Sequence, residues 1–145
     1  VLRDQKVLFI RETRDHVWGI PWGYVEGTND DGTPDPPEKA AIRETFEEAG
    51  VSAEVVGLVG VQNHVSRQGR PHVYMIFLCR HVAGEPQPDN RETDRALYLS
   101  LEQINTWPES IDDFVKWVVT RVLTDQFVVL KPHLNNPYSP YLGFF

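Results

Sequence analysis

The sequence predicts a mixed α/β layer fold. Three observations predict it: β-rich runs are spread along the chain, one sharply punctuated helix lies in the middle, and an amphipathic helix lies near the end. With 145 residues, 41% of them hydrophobic and 24% charged, the chain suits one globular domain over 1–145 with its own core.

The elements follow in order. Val7 to Glu12 is β-rich and is preceded by a turn at Asp4 and Gln5; Val17 to Ile20 is a short strand. Pro21 to Pro37, with Gly23, Gly27, Gly32, Pro34 and Pro36, is loop. Asp35 to Glu38 reads as a helix start, with Asp35 capping, Pro36 in the first helical position and Glu38 at capping-box spacing. Gly50 is the natural left-handed stop. Strands follow over Ala53 to Val61 and Val73 to Val82. The second is apolar on both faces, which suits a central strand. Between them lies a polar loop, N-H-V-S-R-Q-G-R-P-H. Ala96 to Leu99 returns to strand. Ser110 to Leu123 is a helix with Ile111, Phe114, Val115, Val118 and Val122 on one face. The tail, 124–145, is aromatic and Pro-rich; it packs over the domain, lines a pocket or forms a homodimer interface.

A formal net charge of −7 disfavours sequence-blind binding to nucleic acid or to an anionic membrane. No apolar run is long enough to span a bilayer. One cysteine, Cys79 in an apolar run, suits a cytoplasmic protein.

The helix raises a sharper question. Its stretch R-E-T-F-E-E-A-G-V sets Glu44, Glu47 and Glu48 close together. At about 100° per residue, Ile42, Phe46 and Ala49 share one sector and face the core, with the glutamates opposite. Glu44 and Glu48, at i,i+4, repel by a few tenths of a kcal/mol, roughly. A divalent cation offsets that cost, and clustered carboxylate oxygens suit Mg²⁺. Arg43 is placed to pair with Glu47. An acidic helix face is more often plain solvated surface; the surrounding pattern, a Gly-rich loop before the helix and A-G-V leading into a strand after it, points to a site.

R-E-T-F-E-E-A-G-V resembles the second half of the Nudix box, the signature of hydrolases acting on nucleoside diphosphates linked to another moiety. Thr45 stands at a usually aliphatic position. W-G-I-P-W-G-Y-V-E-G, Trp18 to Gly27, resembles the approach to the box. Asp35 stands where the family has Glu, and eleven residues separate it from Gly23 where the family has five; a six-residue insertion in T-N-D-D-G-T-P explains this and leaves the role of Asp35 open. Glu92 to Ile104 resembles the family's acidic stretch leading into a strand and a short helix.

The resemblance implies an α/β/α sandwich with a mixed sheet and Mg²⁺-dependent cleavage of a pyrophosphate bond, with Mn²⁺ able to substitute. It implies a nucleotide-like small-molecule substrate such as a nucleoside triphosphate, ADP-ribose or a sugar nucleotide. The implied catalytic set is Arg43, Glu44, Glu47, Glu48 and Glu92, with a box glutamate or Glu92 as general base. The implied metal ligands are Glu44, Glu47, Glu48 and a main-chain carbonyl near Trp22. Outside the box, Arg67 and Arg70, in a loop with His64 and His72, are candidates for distal phosphates. Trp22 and Tyr24 are candidates for stacking on a base or sugar, whereas Trp18 reads as core. The alternative to a hydrolase is a Nudix-fold binding or regulatory module without turnover.

Overall fold

The computed structural model describes residues 1–28, 32–66, 68–138 and 141–145. In chain order the elements are β1 (Leu2–Arg3), β2 (Lys6–Glu12), β3 (Trp18–Gly19), β4 (Gly27–Thr28), β5 (Pro34–Asp35), α1 (Pro37–Ala49), β6 (Ser52–Val65) and β7 (Pro71–Ala83). Then come β8 (Thr93–Ser100), α2 (Leu101–Thr106), α3 (Asp113–Leu123), β9 (Pro132–His133) and β10 (Gly143–Phe144).

One mixed sheet organises the chain. β2 pairs antiparallel with β8 along one edge, and with β1 and β3 along the other. β1 pairs in parallel with β7, which forms a long antiparallel hairpin with β6. Alternation along β2 explains the layers. Val7 and Phe9 face one core with Trp18, Leu99, Ile104 and Val119, under α2 and α3. Leu8 and Ile10 face the other with Ala49 and Val51, under α1. Each of these fully buried β2 side chains contributes about 1.5–3 kcal/mol. The result is the mixed α/β layer fold that the sequence predicts, arranged as the α/β/α sandwich with a mixed sheet that the resemblance implies.

β2 is therefore the strand buried on both faces, rather than Val73 to Val82. β7 meets β1 only at Leu2 and Arg80, so Val73, Tyr74 and Met75 lie beyond that cover and are exposed. The supposed polar loop between the strands is largely hairpin, since Asn63 to Val65 and Pro71 to Val73 continue the ladder.

Three helix details depart from the sequence reading. α1 begins one residue late: Pro36 is its N-cap, with no side-chain cap, and Asp35 serves elsewhere. Its buried stripe is Ala40, Thr45, Glu48 and Ala49, while Phe46 is 58% exposed. Small side chains let the helix lie close to the sheet, and that rotation turns Glu48 inward. Thr45 bonds the Ala41 carbonyl with its Oγ1 at 2.7 Å, so its hydroxyl is satisfied in a buried place. α3 is capped by Asp112, whose side chain accepts from the Val115 amide at 2.9 Å. It buries Val118 and Val119 and leaves Phe114 outside, stacked on Trp117. Gly50 ends α1 with φ 64°, the left-handed stop that was expected.

The tail folds back over the β6–β7 hairpin. Leu58 and Leu130 exchange two main-chain bonds of 2.9 Å, and Phe144 lies 5.4 Å from Phe77. No helix among the described residues is long and apolar enough to cross a membrane.

Candidate active site

An open cleft of about 440 Å³ lies where the C-terminal end of β2, the loop after β3, α1 and the turn before β8 converge. Glu44, Glu47 and Glu48 reach it from α1, Glu92 from the turn and Glu12 from β2, with Arg14, Arg43 and Arg91 beside them.

Glu48 is 5% exposed. Its carboxylate accepts the Trp22 amide at 3.0 Å, and the Thr93 hydroxyl donates to its carbonyl. Burial raises its pKa to about 8; the Trp22 amide opposes, and Glu44, Glu92 and Glu12 push it further up. Glu44 is also raised, by burial first, against Arg43 and with Glu47 and Glu92 adding to the rise.

Glu44 owes its position to a glycine. A Cβ on Gly23 would stand 1.9 Å from the Glu44 carboxyl carbon, so only glycine leaves room for that side chain. Arg43 then fixes the group. Its guanidinium donates to Glu44 at 2.8 Å, Glu47 at 3.1 Å, Asp35 at 3.0 Å and the Tyr24 carbonyl at 3.0 Å. Asp35 is thus no helix cap. Its buried carboxylate anchors Arg43, and its strand, β5, pairs with β4 at the base of the loop before α1. The loop before the helix is thus closed at its base by Thr28 and Pro34, and the helix behind it is intact.

Glu92 sits on a turn held by Asp89, whose carboxylate accepts the amides of Arg91, Glu92 and Thr93 at 3.1, 3.1 and 2.9 Å. Thr13 completes the join by donating its amide to the Glu92 carbonyl at 2.8 Å. Trp22 and Tyr24 line the cleft with ring centroids 6.0 Å apart, and Trp18 is fully buried. Arg70 stands near the end of the hairpin, outside the cleft lining; Arg67 lies outside the described residues.

Glu12 escaped the sequence reading. It lies in no motif; its one signal is that it ends the apolar strand that enters the core. Trp22 Nε1 donates to it at 3.1 Å, and Arg14 pairs with it at 3.0 Å.

Glu44, Glu47, Glu48, Glu12 and Glu92 give a donor set of carboxylate oxygens, the chemistry a hard divalent cation takes. Among the described residues, no three acidic, histidine or cysteine side chains stand close enough as placed to enclose an ion. The observation that fits a cation is the buried Glu48 surrounded by like charges, an arrangement that positive charge would relieve.

The profile of the NUDIX domain matches residues 1–118. The chain belongs to the NUDIX family. It is 29% identical over 93 residues to a MutT-like protein of Streptomyces ambofaciens, covering 64% of this chain and 54% of that one. It is 26% identical over 122 residues to an ADP-ribose pyrophosphatase of Methanocaldococcus jannaschii, covering 79% and 69%. The chain spans about half the length of two curated relatives that it matches. Its fold matches the crystal structure of a MutT NUDIX hydrolase from Burkholderia pseudomallei with a TM-score of 0.67 at 24% identity, covering 84% of this chain and 92% of that one. The matched NUDIX region ends inside α3, so the tail lies outside it.

Proposed function

We propose that this NUDIX domain is a Mg²⁺-dependent hydrolase. It cleaves a pyrophosphate bond in a nucleoside diphosphate linked to another moiety. One observation carries the reading: Glu48 is buried against a main-chain amide within a cluster of other carboxylates. A solvated acidic face would keep its glutamates in water. Burying one among like charges becomes favourable when a cation joins them.

Glu44, Glu47, Glu48 and the Trp22 carbonyl would hold Mg²⁺, or Mn²⁺ in its place. The ion would supply neutralisation of phosphate oxygens and a more acidic water. Arg43 orients Glu44 and Glu47 through its shared bonds and keeps the Tyr24 carbonyl fixed. Glu92, whose turn at the cleft rim is pinned by Asp89, or one of the box glutamates would take the proton of the attacking water. Trp22 and Tyr24 flank the opening and would receive the nucleoside end. The relatives named as ADP-ribose pyrophosphatase and MutT-like protein support ADP-ribose and nucleoside triphosphates as the first compounds to try.

The test is product analysis of nucleoside triphosphates, ADP-ribose, sugar nucleotides and dinucleoside polyphosphates with Mg²⁺, Mn²⁺ or chelator. Cleavage of at least one compound that stops with chelator supports the reading. Tight nucleotide binding with no cleavage of any member would assign the domain as a binding module instead.

A further inference from the structure

The β6–β7 hairpin has two chemically different faces. Residues directly opposed in an antiparallel pair share a face, and the face alternates at each step. Gln62 with Tyr74 and His64 with His72 lie on one face. Val61 with Met75, Asn63 with Val73, and Val65 with Pro71 lie on the other. All the rings at this end of the hairpin therefore stand on one side.

That side meets the cleft. Tyr24, which lines the cleft, lies 6.4 Å from the His72 ring. His72 and Tyr74 stand side by side, 6.5 Å apart with planes inclined by 24°. His64 follows 6.0 Å from Tyr74, and Trp22 joins the other end 6.0 Å from Tyr24. The result is a continuous row of rings from the carboxylates out along the hairpin. Tyr24 is 64% exposed and Tyr74 39%, so a ligand can reach both rings. The His72 and Tyr74 planes are the near-parallel pair, while Tyr24 is tilted by 50° from His72 and His64 by 54° from Tyr74. Cross-strand ring pairs can serve hairpin stability alone. Stability gives no reason for the row to leave the hairpin through Tyr24 and end at Trp22 beside Glu48.

We propose that the ring-bearing face of the hairpin, His72, Tyr74 and His64, together with Tyr24 from the loop after β3, is a stacking platform for the planar base of a nucleotide. The nucleotide's phosphates point back to the carboxylate cleft. The proposal deepens the hydrolase reading and rests on it for the placement of those phosphates. Stacking on one aromatic side chain raises affinity about ten-fold or more and tolerates any base. Substrate selection by this face then favours a base over none, and discriminates little between bases.

The experiment is calorimetric titration with AMP and with ribose 5-phosphate, both in Mg²⁺. The two ligands share sugar and phosphate and differ by the base. The protein should bind AMP about ten-fold more tightly or better. Tyr74→Ala and His72→Ala should each erase most of that preference, and Tyr74→Phe should keep it, with thermal melts confirming the fold. For a cleaved nucleotide, the alanine changes should appear in KM rather than in kcat. Equal binding of the two ligands, or an undiminished preference in both alanine variants, overturns the platform. Turnover separates the two ideas. Cleavage without a preference for AMP leaves the hydrolase and removes the platform; a preference without cleavage of any pyrophosphate does the reverse.

Discussion

The Glu44 carboxylate occupies the space that a Cβ on Gly23 would fill, with the carboxyl carbon 1.9 Å from that position. The loop glycine and the helix glutamate are thus a single device: the bare backbone lets the helix aim a carboxylate into the cleft. Gly23→Ala should push Glu44 aside while the rest of the fold stands, because the obstructing atoms belong to a movable side chain. Turnover should fall about a hundred-fold, the scale of a misplaced catalytic group. Paired kinetics and thermal melts check it, with little change expected in Tm.

Arg43 and Asp35 form the hidden half of the site. Asp35 is 2% exposed and carries the guanidinium that orients Glu44 and Glu47. Asp35→Ala removes one partner of a buried pair and should destabilise the protein by about 3 kcal/mol. Urea unfolding measures this. The double variant with Arg43→Ala should cost less than the sum of the two single changes.

Glu48 links function to pH. Its pKa in the folded, metal-free protein is raised from 4.5 to about 8, so the folded state holds its proton more tightly than the unfolded chain does. The contribution of Glu48 to stability is then fully present below about pH 4.5 and is lost as pH rises through about 8. Glu48→Gln should flatten that slope and make the metal-free protein more stable at pH 8. It should also lower turnover at least about a hundred-fold. Chemical unfolding in chelator at several pH values, beside kinetics, tests both halves.

Asp89 acts in the opposite direction. Burial raises its pKa, but the amides of Thr93, Arg91 and Glu92 outweigh it and leave the pKa below 3.8. Its contribution is present above the unfolded value and is lost as pH falls through the folded one. Asp89→Asn should reduce stability at neutral pH and weaken the acid dependence below about pH 4. It should also loosen Glu92, seen as faster amide exchange at Arg91 to Thr93.

Much of this site was legible from R-E-T-F-E-E-A-G-V, because helical spacing alone aligns Glu44 with Glu48 and a glycine after Ala49 predicts the left-handed stop. The orientation of the helix was not legible. Hydropathy pointed Phe46 at the core, but close packing on the sheet favours Ala40, Thr45 and Ala49, and this buries Glu48 instead. Asp35 was misread as a cap because its partner, Arg43, is eight positions away across a loop and a helix start. Glu12 has no local motif at all, since only the pairing of β2 with β3 and β8 brings its strand end to the cleft. The hairpin looked like loop because its outer half lies beyond the helices and carries polar residues on one face.

The most direct test of the central claim is a Mn²⁺ titration followed by electron paramagnetic resonance at pH 7.5, on the native chain, Glu44→Gln, Glu48→Gln and the exposed control Glu54→Gln. The account predicts a specific site in the native chain and in Glu54→Gln, weakened about ten-fold or more by each cleft change. Equal affinity in all four proteins would show that the carboxylates do not gather around a cation, and would contradict it.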